Sequence, residues 1–172
     1  SCMDLARPHV LDTCRNLLGP LAHLMRQDVK AANKILHMPQ STLADAAIDA
    51  ALKCAHLELV NRFGQPIGEN SGKPVQLTVL GLGKLGGREL NMSSDIDLVF
   101  AYRENGSTDG TQSISNHEFF IKLGQALIDI LQTPTANGLV FRVDMRLRPN
   151  GDSGPLALSF DAIDHYFLTH GR

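Results

Sequence analysis

Residues 76–100, QLTVLGLGKLGGRELNMSSDIDLVF, constrain the fold more than any other stretch of this chain. Two β-prone runs flank a glycine turn, and little chain lies between them. The turn, Gly81-Leu82-Gly83-Lys84-Leu85-Gly86, matches the Gly-x-Gly-x-x-Gly spacing of a dinucleotide-binding fold. That fold needs its third glycine to open a full crossover helix. It also needs an acidic residue roughly 20 positions on, for a ribose hydroxyl. The segment GRELNMSS holds only about two helical turns, and Ala101 stands where the acidic residue would be. A P-loop fails too, because Lys84 follows Gly83 directly and no Gly-Lys-Ser/Thr occurs.

The aspartates downstream point elsewhere. Side chains alternate along a strand, so Asp95 and Asp97 project from one face while Ile96, Leu98 and Phe100 project from the other. Two neighbouring carboxylates repel each other. A shared hard cation such as Mg²⁺, which favours oxygen ligands and phosphates, offsets that cost. By itself Asp-x-Asp also fits a solvated strand end.

A later stretch, RVDMRLRP, strengthens the catalytic reading. If it is a strand ended by Pro149, then Asp144, Arg146 and Arg148 share one face and Val143, Met145 and Leu147 the other. Guanidiniums bind phosphate bidentately, and a nearby carboxylate can join a metal shell or take a proton. The plainer alternative is ion pairing across the sheet. With Gly83-Lys84 ahead of the carboxylates, the set describes a phosphoryl- or nucleotidyl-transfer site. The turn offers N–H groups to phosphates, the aspartates hold metal and the basic residues offset developing charge.

The first forty residues read as helix, broken near Gly19-Pro20. A second helix is expected from Ser41-Thr42, with Thr42 and Asp45 as a capping box and Gly64 as its C-cap. GQPIGENSGKP reads as a loop. It divides a helical N-terminal segment, 1–70, from a mixed core, 71–172. RENGSTDGTQS is a further loop, followed by a helix over 116–131 and a last helix from about Ser159, with Asp161 in its first turn.

A net charge of −2 gives no sign of the broad basic surface that non-specific nucleic-acid binding needs. There is no apolar run long enough for a membrane span and no charged-then-apolar leader, so a cytoplasmic setting is expected. Cys2, Cys14 and Cys54 lack metal-ligand spacing and read as free thiols. His9, His23 and His37 could share a helical face but have no partner ligands nearby.

A glycine turn, Asp-x-Asp on a strand about a dozen residues later, and a third carboxylate on a later strand resemble the nucleotidyltransferase fold of the DNA polymerase beta type. Gly83-Lys84 stands where that superfamily usually has Gly-Ser. GLGKLGGRELNMSSDIDLVF together with VDMRLRPNGDSGPL resembles, more closely, the glutamine synthetase adenylyltransferases, over residues 42 to 172. The resemblance implies an α+β fold, with a small mixed sheet flanked by helices and preceded by a helical N-terminal segment. It implies Mg²⁺ as cofactor, held by catalytic Asp95, Asp97 and Asp144. Gly83, Lys84, Ser94, Arg146 and Arg148 are the phosphate- or nucleotide-binding candidates.

Such enzymes carry two nucleotidyltransferase domains in one long chain. Their expected partners are glutamine synthetase, ATP or ADP, phosphate and, through the full-length enzyme, the regulatory protein PII. Asn91-Met92-Ser93-Ser94 and Ser153-Gly154-Pro155-Leu156 are more similar to the domain that removes AMP from a tyrosine by phosphorolysis. The domain that adds AMP from ATP, and a non-catalytic module of the same fold, are the alternatives. On the deadenylylating reading this chain is a fragment of a longer enzyme.

Overall fold

A computed structural model describes residues 40–91, 93–134 and 139–170. The expectations for the first helix, its Gly19-Pro20 break, Cys2, Cys14 and the three histidines lie outside these residues.

Helix α1, Gln40–Phe63, forms because alanine and leucine, both strong helix formers, recur at helical spacing. Leu43, Ala44, Ala47, Ile48, Ala51 and Ala55 are its buried stripe. Gly64 ends it as expected, at φ +84°, with its N–H on the Val60 carbonyl at 2.8 Å. The capping box does not form. The helix already includes Gln40, so Thr42 lies inside it, and Asp45 pairs with Arg88.

Two longer strands and two short ones build a mixed sheet. Strand β2, Leu77–Leu82, lies antiparallel to β3, Ile96–Tyr102, in a register running from Leu77↔Tyr102 to Leu82↔Asp97. On the other side of β3, two strands pair with it in parallel. Strand β5, Val143–Asp144, takes its first half and β6, Ala157–Ser159, its second. Because β2 and β3 are antiparallel, no crossover of the dinucleotide-binding kind joins them, as the short spacing demanded.

Both presumed loops contribute to a second, two-stranded ribbon: β1, Pro66–Gly68, pairs with β4, Gly106–Thr108. Isolated three-residue runs give no periodicity, so only pairing reveals them.

Helix α3, Asn116–Gln132, starts at Ser115, whose hydroxyl accepts the Glu118 N–H at 3.1 Å. Its Phe119, Phe120, Leu123, Leu127, Ile130 and Leu131 are fully buried. They share one hydrophobic core with α1 and with Ile96, Leu98, Phe100 and Tyr102 of β3. The alternation predicted for β3 therefore holds. A last helix, α4, Phe160–His170, has Asp161 in its first turn as expected and no buried residue. A four-residue helical turn, α2, Gly83–Gly86, connects β2 toward β3.

The architecture is α+β, a small mixed sheet flanked by helices and preceded by a helix, as expected of a nucleotidyltransferase fold. Two further expectations need correction. Val143–Asp144 is a two-residue strand, not one reaching Pro149. Cys54 is disulfide-bonded rather than a free thiol, since sequence spacing does not report which thiols a fold brings together. No helix of the described residues is long and apolar enough to cross a membrane.

Candidate metal and phosphate site

The carboxylates meet where β2 ends and β3 and β5 begin. Asp97 pairs in register with Leu82 on one side and with Asp144 on the other. Residues opposite each other in neighbouring strands point to the same face, so the register alone brings Asp97 and Asp144 side by side. Asp95 stands two positions before Asp97, just ahead of the strand.

The glycine turn serves this edge directly. Gly83 sits at φ +51°, a left-handed conformation that suits glycine, and a Cβ there would collide with the Asp97 carboxylate. The turn thus lets backbone close over Asp97. Lys84 follows on α2, exposed and with no ion pair to a described residue. Ser94 is half-buried in the approach to β3, its N–H on the Asn91 carbonyl at 3.1 Å.

The three carboxylates differ in what holds them. The Asp97 side chain, half-buried, makes no hydrogen bond or ion pair with any described residue. Asp95 accepts from Arg142 Nε at 2.5 Å through Oδ1 alone. Asp144 is gripped by Arg146, whose Nε reaches both carboxylate oxygens at 3.0 and 2.9 Å while Nη2 reaches Oδ2 at 2.5 Å. The guanidinium, with the Arg146 N–H, holds the Asp144 carboxyl below its ordinary range. Arg146 is shifted upward in turn, first by Asp144, with Asp152 and Asp95 adding to the effect.

Arg146 N–H also bonds back to Asp144 Oδ1 at 2.8 Å. An Asp side chain that accepts the N–H two residues on makes an Asx turn, and this turn is what stops the strand. Arg146 and Arg148 consequently do not line one strand face with Asp144, as the sequence suggested. Arg148 folds into its own loop, with Nη1 on the Met145 carbonyl at 2.8 Å and Nε near that of Gly154 at 3.4 Å. The structure gathers Asp95, Asp97, Asp144, Gly83 and Arg146, and turns Arg148 toward loop carbonyls.

Arg142 was not among the residues singled out from sequence. It has the same strand parity as Asp144, and that was a usable signal.

Among the described residues no three His, Cys, Asp or Glu side chains are gathered tightly enough to hold a metal ion as they stand. The donor chemistry nevertheless fits a hard cation. Mg²⁺ takes one or two carboxylates and completes its shell with water and substrate phosphate. The unpartnered Asp97 and the second oxygen of Asp95 meet that requirement. An open groove of about 900 Å³, lined by residues including Lys73, Arg103 and Phe160, lies at the opposite end of β3 and plays no part here.

A family model described as glutamate-ammonia ligase adenylyltransferase matches residues 24–172. The chain is 59% identical over 132 residues to the bifunctional glutamine synthetase adenylyltransferase/adenylyl-removing enzyme of Chromobacterium violaceum, covering 77% of this chain and 15% of that protein. The protein of the same name from Pseudomonas aeruginosa is 55% identical over 133 residues, covering 77% of this chain and 14% of the relative. That from Aromatoleum aromaticum is 47% identical over 154 residues, covering 88% and 16%. The chain thus spans about one seventh of the length of these relatives.

Proposed function

The chain belongs to the glutamate-ammonia ligase adenylyltransferase family, and from that premise we propose that it is a deadenylylating nucleotidyltransferase domain. Its substrate is the adenylylated tyrosine of glutamine synthetase. An oxygen of inorganic phosphate attacks the phosphorus of the tyrosine-linked AMP. The phosphorus–tyrosine oxygen bond breaks, ADP leaves, and the tyrosine oxygen takes up a proton.

The observation that carries this reading is the register that sets Asp97 beside Asp144, against Gly83 and Arg146, with Asp95 two residues ahead of Asp97. Asp97 and the open oxygen of Asp95 are the groups that would hold Mg²⁺ first, and Asp144 would join them on release from Arg146. Bound there, it would offset the charge of two approaching phosphate groups. Lys84 and Arg146 supply further positive charge for phosphate or AMP, while Arg148 braces the loop that carries Arg146.

The direction follows from proton demand. A tyrosine that attacks ATP must lose a proton, and so benefits from a free base where Asp144 stands. Phosphate is already anionic and needs cations more than a base. Arg146 on Asp144 favours the second case, as do the flanking NMSS and SGPL segments. The cytoplasm is the expected setting, with PII acting through the longer enzyme.

Incubation with adenylylated glutamine synthetase, phosphate and Mg²⁺ should release ADP, and Asp97→Asn should lower that release about a hundredfold or more. AMP incorporation from ATP in place of ADP release would assign the adenylylating copy. Failure of wild type to bind Mn²⁺ or nucleotide at all would leave a non-catalytic module.

A further inference from the structure

We propose that Arg142 is the positioning residue for Asp95, fixing one oxygen of that carboxylate so that the other faces the metal. The inference rests on the nucleotidyltransferase reading above and assigns a residue to it.

Arg142 is held at three points. Its carbonyl accepts the Ile96 N–H at 2.9 Å, which pins the backbone where β5 meets β3. Nε donates to Asp95 Oδ1 at 2.5 Å, and Nη2 donates to the Ser93 carbonyl at 2.9 Å. One planar group therefore ties both the side chain of Asp95 and the backbone two residues before it. Because a guanidinium donates from fixed directions, the position of Asp95 Oδ1 is fixed with it.

The bond pattern differs from that at Asp144, where Arg146 engages both oxygens. Arg142 engages Oδ1 and leaves Oδ2. A carboxylate with one oxygen anchored by an outer partner and the other open is how metal-binding carboxylates are oriented.

Stability alone does not account for the contact. The Arg142 and Asp95 side chains are 62% and 45% exposed, and ion pairs in such positions add little to folding. The pairs Lys53–Asp49 and Lys122–Glu118 are helix-surface pairs four residues apart with no backbone tie. Arg142 instead spans 47 residues to Asp95 and brings a backbone carbonyl into the same fork.

The test is a Mn²⁺ titration of this chain, read by calorimetry or by electron paramagnetic resonance, with wild type, Arg142→Gln and Arg142→Lys. Loss of an outer partner of a metal ligand typically weakens binding about 10- to 100-fold. Arg142→Gln should show that loss while its unfolding midpoint stays near wild type. Arg142→Lys, which restores charge but not the fork, should recover only part of it. In turnover, kcat should fall while KM for phosphate holds.

Unchanged or tighter Mn²⁺ binding in Arg142→Gln would overturn the assignment. So would a raised KM for phosphate with metal affinity intact, which would make Arg142 a phosphate ligand. If Arg142→Gln unfolds, Arg142→Lys carries the same comparison. If wild type itself binds no Mn²⁺, the nucleotidyltransferase reading fails first, so the two failures are distinct.

Discussion

Strand β3 has carboxylates near both ends, and the two ends use them differently. At the start, Asp97 lies bare against Gly83, and Asp95 is held by the side chain of Arg142. Just past the end, Glu104 Oε1 accepts the backbone N–H groups of Asn70 and of Ser71, the latter at 2.8 Å. Backbone amides in a turn have nowhere to move, and their need for an acceptor consumes the carboxylate structurally. A guanidinium on a flexible stem can change partner, and a bare carboxylate can gain one. The same residue type is thus architectural or chemical according to whether its neighbours offer main chain or side chain.

The largest effect should come from what both ends share. Phe100, 1% exposed in mid-strand, anchors β3 in the common core. Phe100→Ala should cost about 3–5 kcal/mol in denaturant unfolding, a large part of a small domain's stability. Next, Asp97→Asn should lower metal-dependent turnover about a hundredfold or more and shift unfolding by less than about 0.5 kcal/mol. If it destabilised the protein as Phe100→Ala does, the chemical end of the strand would be architectural after all. Gly83→Ala falls between the two kinds. Its left-handed backbone and the collision with Asp97 should cost about 1–3 kcal/mol, and Mn²⁺ affinity should drop with it.

Much of this was legible in the residues. The period-two pattern of β3 and the helix over 116–131 depend on local spacing, which sequence displays. The proximity of Asp95 and Asp97 follows from the same pattern. What sequence did not display depends on partners distant in the chain or on competition between bonds. The short strands β1 and β4 pair with each other across a long stretch of chain, and the Arg142–Asp95 contact joins residues 47 apart. The run RVDMRLRP has strand periodicity throughout, yet Asp144 captures the Arg146 N–H and turns the chain. Here a local side-chain bond competes with the ladder and wins.

The smallest effect should come from Glu104. The Ser71 hydroxyl and N–H, with the Asn70 N–H, hold its carboxyl below the ordinary range. A carboxyl lowered in the folded state favours folding at pH values above its unfolded pKa of about 4.3. That contribution is lost as pH falls through the folded pKa, because the proton removes the charge that strengthens the two N–H bonds to Oε1. Glu104→Gln keeps an oxygen for them but does not titrate. Thermal midpoints measured from about pH 3 to pH 7 should therefore differ most at neutral pH and converge on acidification. Parallel curves for the two proteins would mean that charge at Glu104 adds nothing. The contrast between the ends of β3 would then rest on hydrogen-bond geometry alone.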